Sequence, residues 1–262
     1  QLNKVTKKLD EQTLAEENPM YFVFQLILML GFIPYRWMMY QTKYYGKTRD
    51  EIKEIGLSSE NSKKLLLQLG IFGILRTVFL KRMESSVSAL RSSLETYSRK
   101  LELFEKGIEE GKIVSLKDIE ALELSFGDED IEVDEESLEE NTLDPIDDKN
   151  YELETMKQDL KKEKEVVSVI RDQLEILARD DSKIKCFGAL LDKLEKQNPN
   201  KKVLVFSYYA DTINYIQDSI SKYSSSINTE NTGFVSSKNR SDAENLASRF
   251  SPISKNYSLK DG

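Results

Sequence analysis

The chain has 262 residues, room for one large domain or two small ones, and its 11 glycines and 5 prolines are too few for an all-β sandwich or barrel. It has no histidine, which removes the commonest general base, the commonest zinc ligand and every Ser-His-Asp or Cys-His nucleophile, and its single cysteine, Cys186, excludes an internal disulfide or a Cys-rich zinc site. The net charge is −8, but residues 128–148 carry −12 from Asp and Glu with no Lys or Arg, so the rest of the chain sums to +4 and nucleic acid stays open as a partner.

The start at Gln1-Leu2-Asn3 shows no signal peptide and no initiator Met, so the sequence reads as a cytoplasmic fragment of something longer. Residues 1–56 read as a helical segment of unknown role. Within it, 18–35 carry no charge, and Asn18-Pro19 reads as a helix start. A core-buried helix is the expectation and a membrane span the alternative; Gln25, Gly31 and Pro34 interrupt the roughly 20 apolar residues that a span needs. Residues 36–56 interleave aromatic and basic side chains (Arg36, Trp37, Tyr40, Lys43, Tyr44, Tyr45, Lys47, Arg49). That mixture suits base stacking with phosphate pairing, and equally a packed helix end with lysine stems laid along it.

Residues 57–127 read as a long helix and a short one. Leu65 to Leu80 is apolar on most sides and should be buried. Met83, Val87, Leu90, Leu94, Tyr97, Leu101, Phe104 and Ile108 continue at spacings of 4 and 3, a heptad seam. A short helix is expected over 112–127, then an acidic mobile loop at 128–149. That loop is a solvated run or an autoinhibitory mimic of nucleic acid. Residues 150–198 hold the second arm, about 151–179, with a matching seam through Leu153, Met156, Leu160, Val167, Ile170, Leu174 and Leu177. Two seams joined by an insert predict an antiparallel helical hairpin. Asp180-Asp181-Ser182 then caps a helix over 183–197.

From residue 199 the period changes. Val203-Leu204-Val205-Phe206-Ser207 is a continuous apolar run, which reads as a buried parallel strand. A helix at about 210–221, a possible strand at 232–235 and a helix at 240–250 follow, the opening of an α/β domain. The expected fold is therefore mainly α, a long antiparallel helical hairpin followed by a partial α/β unit over 199–262.

Chemistry is sparse. There is no phosphate-cradling loop, no strand-borne Asp-Glu pair for Mg²⁺, no dinucleotide fingerprint and no metal cluster. Carboxylate pairs lie in the acidic run or on helix faces, where nothing sets an acid against a base. No self-sufficient active site is expected, and no cofactor or metal is expected to bind.

Three stretches carry a resemblance. Gly73-Ile74-Leu75-Arg76-Thr77-Val78-Phe79-Leu80-Lys81-Arg82-Met83-Glu84-Ser85-Ser86 resembles the "LRxxLLKRLESS" helix of bacterial superfamily 2 helicases of the Swi/Snf type. Asp181-Ser182-Lys183, then Lys202 to Thr212, resembles the opening of the second RecA-like lobe with its motif IV strand. Asn239-Arg240 and Arg249-Phe250-Ser251-Pro252 resemble the helix and turn that follow. The likeness covers roughly 57–105 and 180–255; residues 1–56 and the acidic run have no counterpart in it.

The resemblance implies an ATP-driven nucleic-acid translocase or helicase as the parent, with ATP and Mg²⁺ held by a first lobe outside this chain. This chain would be the interlobe helices plus a truncated second lobe, unable to hydrolyse ATP alone. It also implies nucleic-acid contact by Ser207, Tyr208 and Arg240. Lys81 and Arg82 are basic candidates to pair with phosphate or with the facing lobe. DNA binding is expected to be weak, the remaining motor lobe is the implied protein partner, and no membrane is involved. The competing expectation is a helical protein-interaction module with a coiled-coil hairpin and no catalytic role.

Overall fold

The structure is a computed structural model that describes residues 18–55, 59–113, 144–146, 149–199, 201–228, 231–236 and 240–251. Helix α1 (Pro19–Met29) starts where the sequence places it: the Asn18 side chain accepts the Tyr21 N–H, and Pro19 occupies the first turn. It buries Phe22, Val23, Leu26 and Ile27. At about 1.5 Å per residue it is too short to span a bilayer, and no helix among the described residues is long and apolar enough to do so. The core-buried expectation holds.

Beyond α1 the chain turns sharply. Phe32 sits in the left-handed region at φ 51°, followed by two 3₁₀ turns, Ile33–Tyr35 and Trp37–Tyr40. Trp37, Tyr40 and Tyr44 are buried, and Lys43 lies over the Tyr44 ring at 4.6 Å. The aromatic and basic stretch is thus largely a packed corner rather than a stacking platform. Helix α2 (Arg49–Glu54) follows behind a reciprocal cap between Thr48 and Glu51.

The long helix expected through 65–108 is two helices. Helix α3 (Ser59–Ser85) ends at Ser86, whose backbone is extended (φ −161°, ψ 160°), and helix α4 (Val87–Glu109) begins there. Phe79 and Tyr97 show how far the chain folds back: their ring centroids are 5.9 Å apart, whereas a continuous helix would separate the residues by about 27 Å. The Ser86 hydroxyl accepts the Ala89 N–H and so satisfies an orphan donor of α4.

Helix α5 (Leu153–Arg179) packs antiparallel along α4, as the ion pairs Arg91–Glu175 (2.9 Å) and Glu105–Lys164 (2.5 Å) show. The predicted seams form the interface, with Leu90, Leu94, Tyr97, Leu101 and Phe104 from α4 facing Met156, Leu160, Val167, Ile170 and Leu174 from α5 in one buried cluster. A two-residue ladder, β1 (Lys112–Ile113) with β2 (Asp144–Pro145), ties together the two ends of the segment that links α4 to α5. The short helix expected over 112–127 and most of the loop expected over 128–149 lie outside the described residues.

Helix α6 (Ser182–Gln197) carries the predicted Asp181 cap, and α7 (Ala210–Ser219) and α8 (Arg240–Phe250) fall where expected. The α/β unit does not form among the described residues. Val203, Leu204, Val205 and Phe206 are 48%, 60%, 43% and 84% exposed and belong to no ladder, and 232–235 form no strand either. A strand exists only as part of a ladder with a neighbour, and neither segment belongs to a ladder among the described residues. The chain is mainly α-helical.

Candidate functional site

The C-terminal end of α3 is where the first two of the three sequence stretches meet. Arg82 is 3% exposed. Its guanidinium donates to the Ala89 carbonyl (3.3 Å) at the start of α4 and to Asp211 Oδ2 (3.0 Å) in the first turn of α7. It also lies over the Tyr209 ring, 4.6 Å from the centroid. Asp211 sits where the α7 dipole favours a carboxylate. One residue on, the Thr212 hydroxyl bonds both Ser85 Oγ (2.7 Å) and Ser86 Oγ (2.9 Å), at the extended link between α3 and α4.

The Asp181 stretch enters from the other side. Lys183 Nζ donates to the carbonyls of Glu84 and Ser85, capping the C-terminus of α3 with a cation, as the helix dipole favours. Asp181 accepts the N–H groups of Lys183 and Ile184 through one oxygen and the Tyr215 hydroxyl through the other. Burial, then the bond and the charge of Asp181, push the Tyr215 hydroxyl well above its ordinary pKa, so it stays a donor. Residues 82–86, 181–183 and 209–215 therefore form one polar junction. Within their helical spans, α7 buries only Thr212, and α6 only Ile184 and Gly188. Hydrogen bonds and a charge pair carry much of this attachment, in contrast to the apolar α4–α5 contact.

The sequence-selected residues divide accordingly. Arg82 is committed inside the junction, toward the facing element rather than toward solvent. Lys81, its neighbour, is exposed. Ser207 Oγ accepts the Tyr209 N–H and donates to the Tyr209 carbonyl, both at 3.2 Å, a local turn before α7. Tyr208 is 82% exposed, its ring edge-on to Tyr209 at 5.0 Å. Arg240 begins α8; its side chain lies outside the described residues. The structure joins Arg82 to the Tyr209–Thr212 turn and leaves Lys81 and Tyr208 facing solvent.

Sequence reasoning passed over Asp211 and Thr212 as partners. A visible signal exists for Asp211, an acid in the first turn of a helix, but no spacing rule links it to Arg82. It also passed over Glu163, 5% exposed at the one place where the α5 seam skips a heptad position. Its carboxylate accepts the N–H groups of Phe32 (2.5 Å) and Ile33 (3.3 Å) and the Tyr97 hydroxyl (2.5 Å). It holds the left-handed turn after α1 against the hairpin. Burial raises its pKa, and the three donors and the nearby Arg36 oppose that rise. Arg76 grips the same corner, donating to the carbonyls of Leu28 and Leu30 over the Phe72 ring.

No group of His, Cys, Asp and Glu among the described residues is arranged to hold a metal ion. Comparison of the chain with protein-family models, curated proteins and solved structures finds no match.

Proposed function

We infer that the chain is the mechanical middle of an ATP-driven nucleic-acid translocase or helicase of the Swi/Snf type, an interlobe helical bundle plus the first elements of the second RecA-like lobe. The observation that supports this most is the junction. Two of the three stretches that carry the resemblance lie far apart in sequence, yet their Arg82, Ser85, Ser86, Lys183, Asp211 and Thr212 meet in one polar cluster. In a motor whose lobes open and close on ATP, a hydrogen-bonded and charge-paired attachment suits a contact that must transmit motion. The lobe's sheet itself rests on the sequence alone.

In this reading the chain lacks the ATP site and is silent on its own, while ATP and Mg²⁺ belong to the other lobe of the parent. Lys81 and Tyr208 face the nucleic-acid track, phosphate pairing with the cation and a base or sugar stacking on the exposed ring, and Arg240 joins them as a candidate on the sequence alone. The test is a fluorescence anisotropy titration of labelled DNA at several salt concentrations. Weak binding that falls steeply with salt is expected. Absence of binding at low salt would move the weight to a second reading, a helical protein-interaction module with no catalytic role. That reading draws its support from the exposed apolar run at 203–206.

A further inference from the structure

The buried apolar core stops short of the C-terminal helices. It draws on the bundle of α1 to α5, and among the described residues no side chain in it or packed against it lies beyond Ala178. Ile184, Tyr209 and Ile220 are buried outside it. Helices α6 and α7 are braced against each other instead. A 3₁₀ turn, Ile220–Lys222, follows α7. Helix α6 meets the end of that turn so closely that a Cβ on Gly188 would lie 2.4 Å from the Tyr223 carbonyl oxygen. Asp192 of α6 accepts the Ser224 and Ser226 hydroxyls (2.6 and 2.7 Å) and the Ser225 and Ser226 N–H groups (3.2 and 3.0 Å). Tyr215 of α7 donates to Asp181 at the cap of α6 (2.9 Å). Toward the bundle, by contrast, the hydrogen bonds of this unit converge on Arg82, Glu84, Ser85 and Ser86. The chain passes from bundle to unit at Asp180, an exposed residue outside both helices (φ −136°, ψ 55°).

We propose that α6 and α7, with the turns that brace them, dock on the bundle as one body and swing from it about Asp180, with Arg82, clasped by Asp211 and the Tyr209 ring, as the latch. The energetics select this line of opening. Separating the α4–α5 seam exposes apolar surface to water with nothing in return. Separating Arg82 from Asp211 returns both ions to water, and the hydration regained offsets much of the attraction lost. The pair therefore fixes the docked geometry at a small net gain, as a contact with two positions requires. Removing one partner acts differently. Asp211→Asn leaves Arg82 desolvated and without that counter-charge in the docked state, so release, which hydrates it, becomes favoured. Tyr208 lies just ahead of α7 and travels with it, while Lys81 stays with the bundle. The latch thus sets the spacing of the two solvent-facing residues. The proposal rests on the junction alone and not on the motor reading.

Double electron–electron resonance on the whole chain, with spin labels carried on introduced ketone-bearing residues, reads the swing. One label pair spans the junction, replacing Glu95 and Glu195. A second lies within the bundle, replacing Glu95 and Lys157, and a third within the unit, replacing Glu195 and Gln217; all four positions are exposed. The wild type should show one junction distance. Asp211→Asn should add a second, longer one, populated several-fold above the wild-type level, with both internal distances unchanged. In a Cys186→Ser background, Ser85→Cys with Thr212→Cys should form a disulfide, since the two hydroxyls stand 2.7 Å apart. That bond should return Asp211→Asn to the docked distance, and a reductant should release it again. A single junction distance in Asp211→Asn overturns the proposal. So does a broadened distance within the unit, which means that α6 and α7 unfold rather than swing, or a second junction distance that survives the disulfide.

Discussion

Two buried ionisable side chains, Arg82 and Glu163, carry more structural consequence than any exposed one. Arg82 is desolvated, so its charge is tolerable only while Asp211, the Ala89 carbonyl and the Tyr209 face surround it. Arg82→Ala and Asp211→Ala should each destabilise the chain to urea. The double variant should lose less than the sum, with a coupling of about 1–3 kcal/mol; strict additivity would show that the pair does not hold α7. Glu163 behaves differently with pH. Its folded pKa is raised, so the folded state binds its proton more readily than the unfolded state does. Its contribution is therefore most favourable below the ordinary Glu range and declines as pH rises through the raised value. Melting followed against pH should show that decline in the wild type and a flatter profile in Glu163→Gln. Glu163→Ala strands two N–H groups and a hydroxyl and should cost about 3 kcal/mol or more at low pH, with the loss shrinking as pH rises through the raised value.

Among the elements, the helices were legible because their signals are local. Asn18-Pro19 and Asp181 cap where a side-chain oxygen precedes an apolar period, and the seams from Val87 to Ile108 and from Met156 to Leu174 are buried as their spacing requires. The α3–α4 turn was hidden by the same rule. Met83, Val87 and Leu90 keep helical spacing straight through Ser86, so the apolar pattern runs on while the backbone reverses. Only the Ser85-Ser86 pair, two residues that favour caps over helix interiors, marked the place. Ser86→Ala should lose about 1 kcal/mol from the missing cap, and Ser86→Gly distinctly less; equal losses would assign the effect to the Thr212 bond instead. The 203–207 run failed as a strand for the opposite reason: its pattern describes a strand already paired, and pairing is not a property of the segment alone. The convergence of Arg82, Lys183 and Asp211 was equally illegible, since only the packed helices bring them together.

At the scale of the whole molecule, an acidic total hides a basic body. Phosphate-directed binding should weaken with salt in proportion to the phosphates neutralised. Arg82 is occupied internally and Lys81 is exposed. Lys81→Ala should therefore lower the salt slope by about 1, and Arg82→Ala should change stability rather than slope. Deleting residues 128–143 should strengthen DNA binding by removing negative charge that repels the polyanion at Debye range, with a stability change under about 1 kcal/mol from loop closure. A large stability loss would show that the acids pair with the body and would favour the autoinhibitory mimic.

The most direct measurement is DNA-dependent ATP hydrolysis, made on the chain alone and on the chain joined to the coding sequence on either side of it. If these helices are the middle of a nucleic-acid motor, the chain alone is silent with or without DNA. The joined protein carries a phosphate loop and hydrolyses ATP faster when DNA is present, and Asp211→Ala slows that hydrolysis by loosening the junction. Hydrolysis by the chain alone, or a joined protein with no phosphate loop and no DNA-stimulated turnover, would contradict the account.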